Sequence, residues 1–245
     1  MTTTLTPFPV RFDETWRAFD GIHGGLVLAA MLRAASVGTG AVPQSATAHF
    51  HHPVRPGPVA PTVRVDRDGR SPGTTVLLDD SAVALVRLSR TRTGPEHGPR
   101  LDVGADPEDF AVLDIPVDFV PFSQHLEIRP VDAARPFAGG AEPGFDVWIR
   151  LLPEPELTGA ERAAILLDAL PPGLFAVRTT PVPIPTMELT VHFAPAAHTS
   201  RGPWYRLRHR TVWWTDDLCV DETELFTAEG DLAAQARQLR RILGR

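Results

Sequence analysis

One aspartate of this sequence lies within an apolar segment, where a carboxylate is a strong candidate for a catalytic group. Asp168 is the only charged residue in the run from Ala163 to Leu170. If that run is buried, the carboxylate needs hydrogen-bond donors or a raised pKa, and such groups cluster at functional sites. Asp168 could then act as a general base towards a water molecule. On local sequence alone, a solvent-facing aspartate at the end of a helix is an equally good interpretation.

Two polar side chains could hold that water molecule beside Asp168. Thr186 opens a predicted strand, and Gln238 shares a strand face with Ala234 and Ala236, whose small side chains leave room for a helix. A hydroxyl, an amide and a carboxylate can together hold and polarise a water molecule. Since an isolated threonine or glutamine usually has a structural role, these residue types do not by themselves assign the site.

Glycines precede the first apolar segment of the chain. The residues His23, Gly24 and Gly25 come directly before the run that ends at Ala35. Glycines there would let a ligand approach backbone amides at the positive end of a helix dipole, which could stabilise an oxyanion. A tight loop ahead of a helix explains them equally well. The run contains no acidic residue, so we expect one general base for the whole chain.

The remaining reactive residue types give weaker signals. His49, His51 and His52 lack a third ligand nearby, so we predict no metal site. Cys219 has no conspicuous activating partner and is interpreted as a small core residue. The chain contains no Gly-x-Ser-x-Gly elbow, Walker A loop or full Gly-x-Gly-x-x-Gly fingerprint. Serine hydrolases and nucleotide-binding proteins are therefore disfavoured, and no cofactor is predicted.

Two similar sets of elements could position these residues. The first set is a helix over 24–35 followed by strands at 46–52, 59–66, 74–79 and 82–91. The second has strands at 125–130 and 145–152, a helix at 161–170, and strands at 187–193, 204–214, 221–226 and 232–242. Thr158 and Glu161 form a capping box at the start of the second helix, and Pro171 follows its end.

A short echo supports an internal duplication. Thr47-Ala-His-Phe50 resembles Thr190-Val-His-Phe193, and each copy comes after an apolar helix and before a strand meander. A stretch rich in proline, glycine and aspartate separates the two sets. We predict domains at 1–93 and 123–245 joined by a linker at 94–122, each domain having an antiparallel sheet around one helix.

Composition restricts the class of protein further. The chain has 245 residues, 43% of them hydrophobic and 22% charged, with a net charge of −6. This balance is typical of a folded globular protein and disfavours nucleic-acid binding, which needs a basic surface. No apolar stretch approaches the ~20 residues of a membrane span. A single cysteine and no secretory signal in the sequence favour the cytoplasm.

The chain resembles the bacterial acyl-CoA thioesterase II family over nearly its whole length. The family's first-half signature is matched by Gly24-Gly25, His49-Phe50, Arg55-Pro-Gly57 and Arg67-Asp-Gly-Arg-Ser71. In the second half, the family places an aspartate on the helix, a threonine at the start of the next strand and a glutamine on the last strand, matched by Asp168, Thr186 and Gln238. The resemblance implies an α+β double hotdog fold, with two antiparallel sheets each wrapped around a central helix and fused in one chain.

The resemblance also implies an activity. A water held by Asp168, Thr186 and Gln238 would hydrolyse an acyl-CoA, or another acyl thioester, without a covalent acyl-enzyme. Glu188-Leu189 departs from an acidic-histidine pair common in the family, so acyl preference stays open. The alternatives are an acyl-binding protein without turnover and another hotdog activity such as hydration of an enoyl thioester. We also expect a homo-oligomer.

Overall fold

The first helix is apolar on nearly every side and is buried accordingly. In the computed structural model, which describes residues 3–4, 8–90, 97–153 and 156–244, helix α1 spans Gly24–Thr39. Ten of its residues are buried, including Leu28, Met31 and Leu32. Gly40 ends the helix in the left-handed conformation at φ 62°, and its N–H donates to the Ser36 carbonyl.

The second helix is shorter than the sequence predicts. Helix α2 spans Gly159–Leu167, and the predicted capping box between Thr158 and Glu161 is present. Asp168 follows the helix as its C-terminal cap, at φ −105° and ψ 8°. A third helix, α3, covers Pro195–Thr199. Within the described part of the chain, no helix is both long enough and apolar enough to cross a membrane.

The strands form two meanders, as predicted, with boundaries shifted by a few residues. The strands are β1 (Thr3–Thr4), β2 (Val10–Phe12), β3 (Val42–Phe50), β4 (Gly57–Val59), β5 (Thr62–Arg67), β6 (Gly73–Leu78), β7 (Ala82–Ser89), β8 (Leu126–Pro130), β9 (Gly144–Leu151), β10 (Thr186–Phe193), β11 (Tyr205–Trp214), β12 (Leu218–Thr227) and β13 (Leu232–Arg241). Short 3₁₀ turns lie at Glu14–Trp16, Pro107–Asp109, Pro121–His125 and Gly173–Ala176.

The two half-sheets are joined edge to edge. Among the described residues, eleven strands form one sheet in the order β1-β5-β6-β7-β3-β10-β13-β12-β11-β9-β8, while β2 and β4 pair separately. At the junction, β3 and β10 run antiparallel with Thr47 opposite Thr190, and their hydroxyl oxygens are 3.1 Å apart. The echoed tetrapeptides therefore lie side by side. The predicted double hotdog is confirmed, with its two sheets continuous across this seam.

The two helices meet where a glycine allows a very close approach. A Cβ on Gly25 would lie 2.5 Å from the Ala164 carbonyl oxygen and 2.9 Å from the Ile165 Cα. Further along, the Arg33 guanidinium on α1 lies 2.5 Å from the buried Glu161 carboxylate on α2. This packing brings the N-terminus of α1 to the C-terminus of α2, and so to Asp168.

The segment between the halves is bound to the second half. Leu101 donates its N–H to the Gly230 carbonyl, Leu113 donates to Ile128, and Phe122 donates back to Arg17 in the first half. Residues 91–96, where the predicted first domain ends and the predicted linker begins, lie outside the described residues. The domain boundaries therefore stay a prediction.

Candidate active site

Asp168 is held by donors from both halves of the chain. Its Oδ2 accepts the Gly25 backbone N–H at 2.8 Å, and its Oδ1 accepts the Gln238 amide N–H at 2.9 Å. The side chain is 8% exposed and faces a cavity. Each carboxylate oxygen keeps a further lone pair, so Asp168 can still accept a proton from a bound water molecule.

Gln238 lies behind Asp168 rather than in the cavity wall. It stands on the inner face of β13, fully buried, and its orientation follows from its hydrogen bond, because a reversed amide would place two oxygens together. Its Oε1 has no partner among the described residues. Buried acceptors of this kind are normally satisfied by water. The sequence predicts Gln238 as a group that holds water beside Asp168; in the structure its amide instead donates directly to the Asp168 carboxylate. Its part in holding water stays a prediction.

Thr186 begins β10 and lines the same cavity as Asp168. It lies opposite Arg240 in the β10–β13 ladder. Within the described ranges, its hydroxyl makes no hydrogen bond to Asp168 or Gln238. Contact between Thr186 and the carboxylate would therefore run through a bound molecule, and its predicted part in holding water stays a prediction.

His23 caps the first helix. Its Nδ1 accepts the Leu26 N–H at 3.2 Å, and its Nε2–H donates to the Asp168 backbone carbonyl at 2.9 Å. The ring is 2% exposed. Burial lowers the pKa of His23, although Asp168 acts in the opposite direction, so the ring is neutral at pH 7. Because both ring nitrogens are engaged, His23 fixes the relative position of the two halves.

Gly24 is the first residue of α1 and lines the cavity. The Gly25 N–H is taken by Asp168 and the Leu26 N–H by His23, whereas the Gly24 N–H has no partner among the described residues. A Cβ on Gly24 would lie 2.9 Å from the Asp168 Oδ2 and 3.3 Å from the Phe50 ring. The positive end of the helix dipole is thus open to a ligand oxygen beside the carboxylate.

A cavity of about 830 Å³ opens in front of these groups. Its wall is mostly apolar, with Ile22, Val147 and Phe175 from the body of the fold and Leu113 and Phe119 from the segment between the halves. Its volume lies within the range of small-molecule sites, ~300–1,000 Å³. A long apolar group can therefore be enclosed while its polar end reaches Asp168.

The family models match both halves of the chain. Residues 12–77 match an acyl-CoA thioesterase N-terminal domain, and residues 95–242 match an acyl-CoA thioesterase C-terminal domain. The chain belongs to the acyl-CoA thioesterase family. It is thus a thioester hydrolase. No curated protein sequence matches the chain.

Solved structures share the architecture of this thioesterase. A protein of unknown function with a hot dog fold from Alicyclobacillus acidocaldarius is 21% identical, with a TM-score of 0.87 over 98% of this chain and 94% of that one. An acyl-CoA thioesterase II from Mycobacterium marinum is 17% identical, with a TM-score of 0.70 over 91% and 89%. A dehydratase domain of a mycocerosic acid synthase-like polyketide synthase is 13% identical, with a TM-score of 0.57 over 100% and 95%. At these identities the likeness shows the fold alone.

The other residues considered from the sequence lie around the thioesterase's site. His51 and His52 line the cavity, whereas the His49 ring lies 4.0 Å from the Glu188 carboxylate. Cys219 is fully buried, and burial, assisted by Asp221, raises the pKa of its thiol to about 12. A thiol with that pKa stays protonated, so Cys219 does not supply a nucleophile.

Sequence reasoning missed two charged residues behind the site. Arg240 lines the cavity and is 6% exposed, and its guanidinium approaches both Asp168 and the fully buried Asp221. The alternation that places Gln238 on the inner face of its strand also places Arg240 there. The strand that carries Asp221 was also predicted, but the pairing of the two side chains across neighbouring strands was not.

Proposed function

We propose that the protein hydrolyses acyl-CoA thioesters with Asp168 as general base. The observation that carries the proposal is a buried carboxylate, fixed by the Gly25 amide and Gln238, at the wall of an apolar cavity. The acyl chain would occupy the cavity with its carbonyl beside Asp168. Such a position excludes most water from the reaction except a molecule bound to the carboxylate and Thr186.

The proposed reaction needs no covalent enzyme intermediate. Asp168 takes a proton as the water oxygen bonds to the thioester carbon, which gives a tetrahedral intermediate with a negative oxygen. The Gly24 N–H, which has no partner among the described residues and lies at the positive end of α1, would donate to that oxygen. The carbon–sulfur bond then breaks, and the proton held by Asp168 passes to the departing thiolate. A free acid and CoA result.

Hydration of an enoyl thioester is the other hotdog activity to be weighed. It requires an acid and a base that both face the substrate. The histidine nearest to Asp168 is His23, whose Nε2 lies 3.6 Å from Oδ2. Both His23 nitrogens are already engaged within the protein, so it is poorly placed to exchange a proton with a substrate. Hydrolysis therefore fits the contacts better.

Release of free thiol from acyl-CoAs of graded length is the direct test. Turnover that rises with chain length up to a limit would support an acyl chain in the cavity. Binding of these compounds by a folded sample without thiol release would instead favour an acyl-binding protein. Loss of enoyl-CoA absorbance with the thioester intact would favour hydration.

Gln238→Met is expected to lower kcat by between about tenfold and a hundredfold. A hydrogen bond to a charged group contributes about 1.5–3 kcal/mol, and methionine fills a similar volume without the amide. KM should change little because Gln238 does not contact the cavity. Steady-state kinetics test this, with Gln235→Met on the exposed face of the same strand as the matched control. A rise in KM with kcat unchanged would instead indicate that Gln238 contributes to substrate binding.

Thr186→Val is expected to lower kcat by up to about tenfold, the value of one neutral hydrogen bond. Valine keeps the shape of threonine and its strand preference, so the fold should be unaffected. The measurement is kcat on one acyl-CoA, compared with Thr190→Val further along the same strand. An unchanged kcat would remove Thr186 from the proposed water site.

A further inference from the structure

A row of buried charges runs from Asp168 into the core of the second half. The Arg240 Nη2 lies 3.9 Å from the Asp168 Oδ1, and the Arg240 Nε lies 2.7 Å from the Asp221 Oδ2. Asp221 accepts the Thr211 hydroxyl at 2.6 Å, and the His209 Nε2 lies 3.6 Å from its Oδ2. The Arg240, Asp221 and His209 side chains are 7%, 0% and 1% exposed. Water screens charges this deep only weakly.

Arg240 is held closer to Asp221 than to Asp168. Its Nη2 is buried without a hydrogen-bond partner among the described residues, although a carboxylate lies just beyond hydrogen-bonding distance. Asp221 therefore holds the guanidinium where its charge reaches Asp168 but its N–H groups do not occupy the Asp168 lone pairs. The Asp168 carboxylate therefore has an opposite charge nearby and keeps lone pairs that can accept a proton.

We propose that Arg240, held back by Asp221, is a positioning residue that supplies an opposite charge to the Asp168 carboxylate without occupying its lone pairs. The inference rests on the proposed function, in which Asp168 is the general base. An opposite charge within about 4–6 Å favours the charged form of a buried carboxyl group, which is the form that can act as a base. A guanidinium in direct contact would instead occupy the carboxylate lone pairs that accept the proton. The separation imposed by Asp221 keeps the charge of Arg240 near Asp168 and leaves those lone pairs free.

The charged groups that face Asp168 and Asp221 determine which variants can isolate the effect of Arg240 on Asp168. Asp168 is faced by His23 from the loop before α1 and by Arg240 from β13, and Asp221 is faced by Arg240 and by His209 from β11. Burial alone would raise the pKa of Asp221, but His209, Arg240 and the Thr211 hydroxyl outweigh it and hold that pKa at about 2. Asp221 is thus ionised throughout the range of an activity assay.

The test is the pH dependence of kcat/KM in two single variants. Arg240→Met should move the acid limb of the profile to higher pH by about one unit or more, the usual effect of losing an opposite charge at this distance. Asp221→Asn should move it to lower pH, because Arg240 is released towards Asp168, and should lower the plateau. A purely structural role would reduce the yield of folded enzyme in both variants and leave the limb in place, which would overturn the proposal.

His23 needs its own control because Arg240 lowers its pKa, so loss of Arg240 would also move the titration of His23 to higher pH. The Arg240→Met shift is therefore measured again in a His23→Gln background. A shift of the same size there supports the proposal. If the shift disappears in the His23→Gln background, the acid limb belongs to His23 and the proposal is overturned.

A double variant covers the case in which the single variants do not fold. Arg240→Met with Asp221→Leu removes the ion pair as a unit, so neither of its two charges is left buried without the other. The acid limb of its kcat/KM profile should lie at higher pH than that of the unmodified enzyme. Of the two lost charges, the Arg240 cation is the one nearer to Asp168. A folded double variant with an unshifted limb would overturn the proposal. Native activity in a folded Asp168→Asn variant would remove Asp168 as the general base of the proposed reaction, which is a separate result.

Discussion

Asp168→Asn is expected to lower kcat by about 10²–10⁴-fold while the fold is retained, the range typical for loss of a general base. Asparagine has the shape of aspartate, and its carbonyl oxygen can still accept either the Gly25 N–H or the Gln238 amide. The side chain loses its capacity to take a proton from water. Thiol release from an acyl-CoA at saturating concentration measures the change, with circular dichroism and Tm as evidence of folding.

Two quantities should stay constant in this experiment, the KM of the variant and the kcat of a control variant. KM should remain within a few-fold of its original value, since the acyl cavity is not altered. Asp217→Asn, in the exposed turn between β11 and β12, provides a matched substitution away from the cavity and should leave kcat unchanged. A folded Asp168→Asn enzyme with native turnover would remove Asp168 from the mechanism. The hydrolytic reaction would then need another base.

Local features of the fold could be predicted from local sequence. The apolar composition of α1 indicates a helix enclosed by a sheet, and the pair Thr158 and Glu161 marks the start of α2. Alternation along the last strand indicates that Gln238 faces inward. Each of these inferences needs only residues that are neighbours in sequence or lie on one strand.

Contacts between the halves could not be predicted in the same way. Gly25 and Asp168 are separated by 143 positions, and Thr47 lies opposite Thr190 at an equal separation. Which strand edges pair depends on how both halves pack, and this packing cannot be inferred from a single sequence. The side chain of Asp168 is functionally interpretable only once the N-terminus of α1 is placed beside it.

Gly25→Ala is expected to disrupt the contact between α1 and α2. Its Cβ would meet the Ala164 carbonyl oxygen at 2.5 Å and the Ile165 Cα at 2.9 Å, both backbone atoms of α2. The higher helix propensity of alanine offsets only about 1 kcal/mol, whereas overpacking against a backbone costs about 1–3 kcal/mol. We therefore expect a lower Tm than that of the unmodified protein.

The effect on catalysis should exceed the effect on stability. The methyl group forces α1 away from α2, and the Gly25 N–H then moves off the Asp168 Oδ2 while the Gly24 N–H moves off the proposed oxyanion position. A displacement of about 1 Å at such groups can lower the rate by about a hundredfold, so we expect a loss in kcat/KM of that size or more.

Gly24→Ala is the matched comparison one residue earlier. Its Cβ would meet only side-chain atoms, the Asp168 carboxylate and the Phe50 ring, which can shift at small cost. Gly24→Ala should therefore keep a near-native Tm and lose part of its activity, whereas Gly25→Ala should lose both. If Gly25→Ala matched the unmodified protein in Tm and kcat/KM, the two helices would not be in this contact, and the Asp168 carboxylate would need a different donor from the first half.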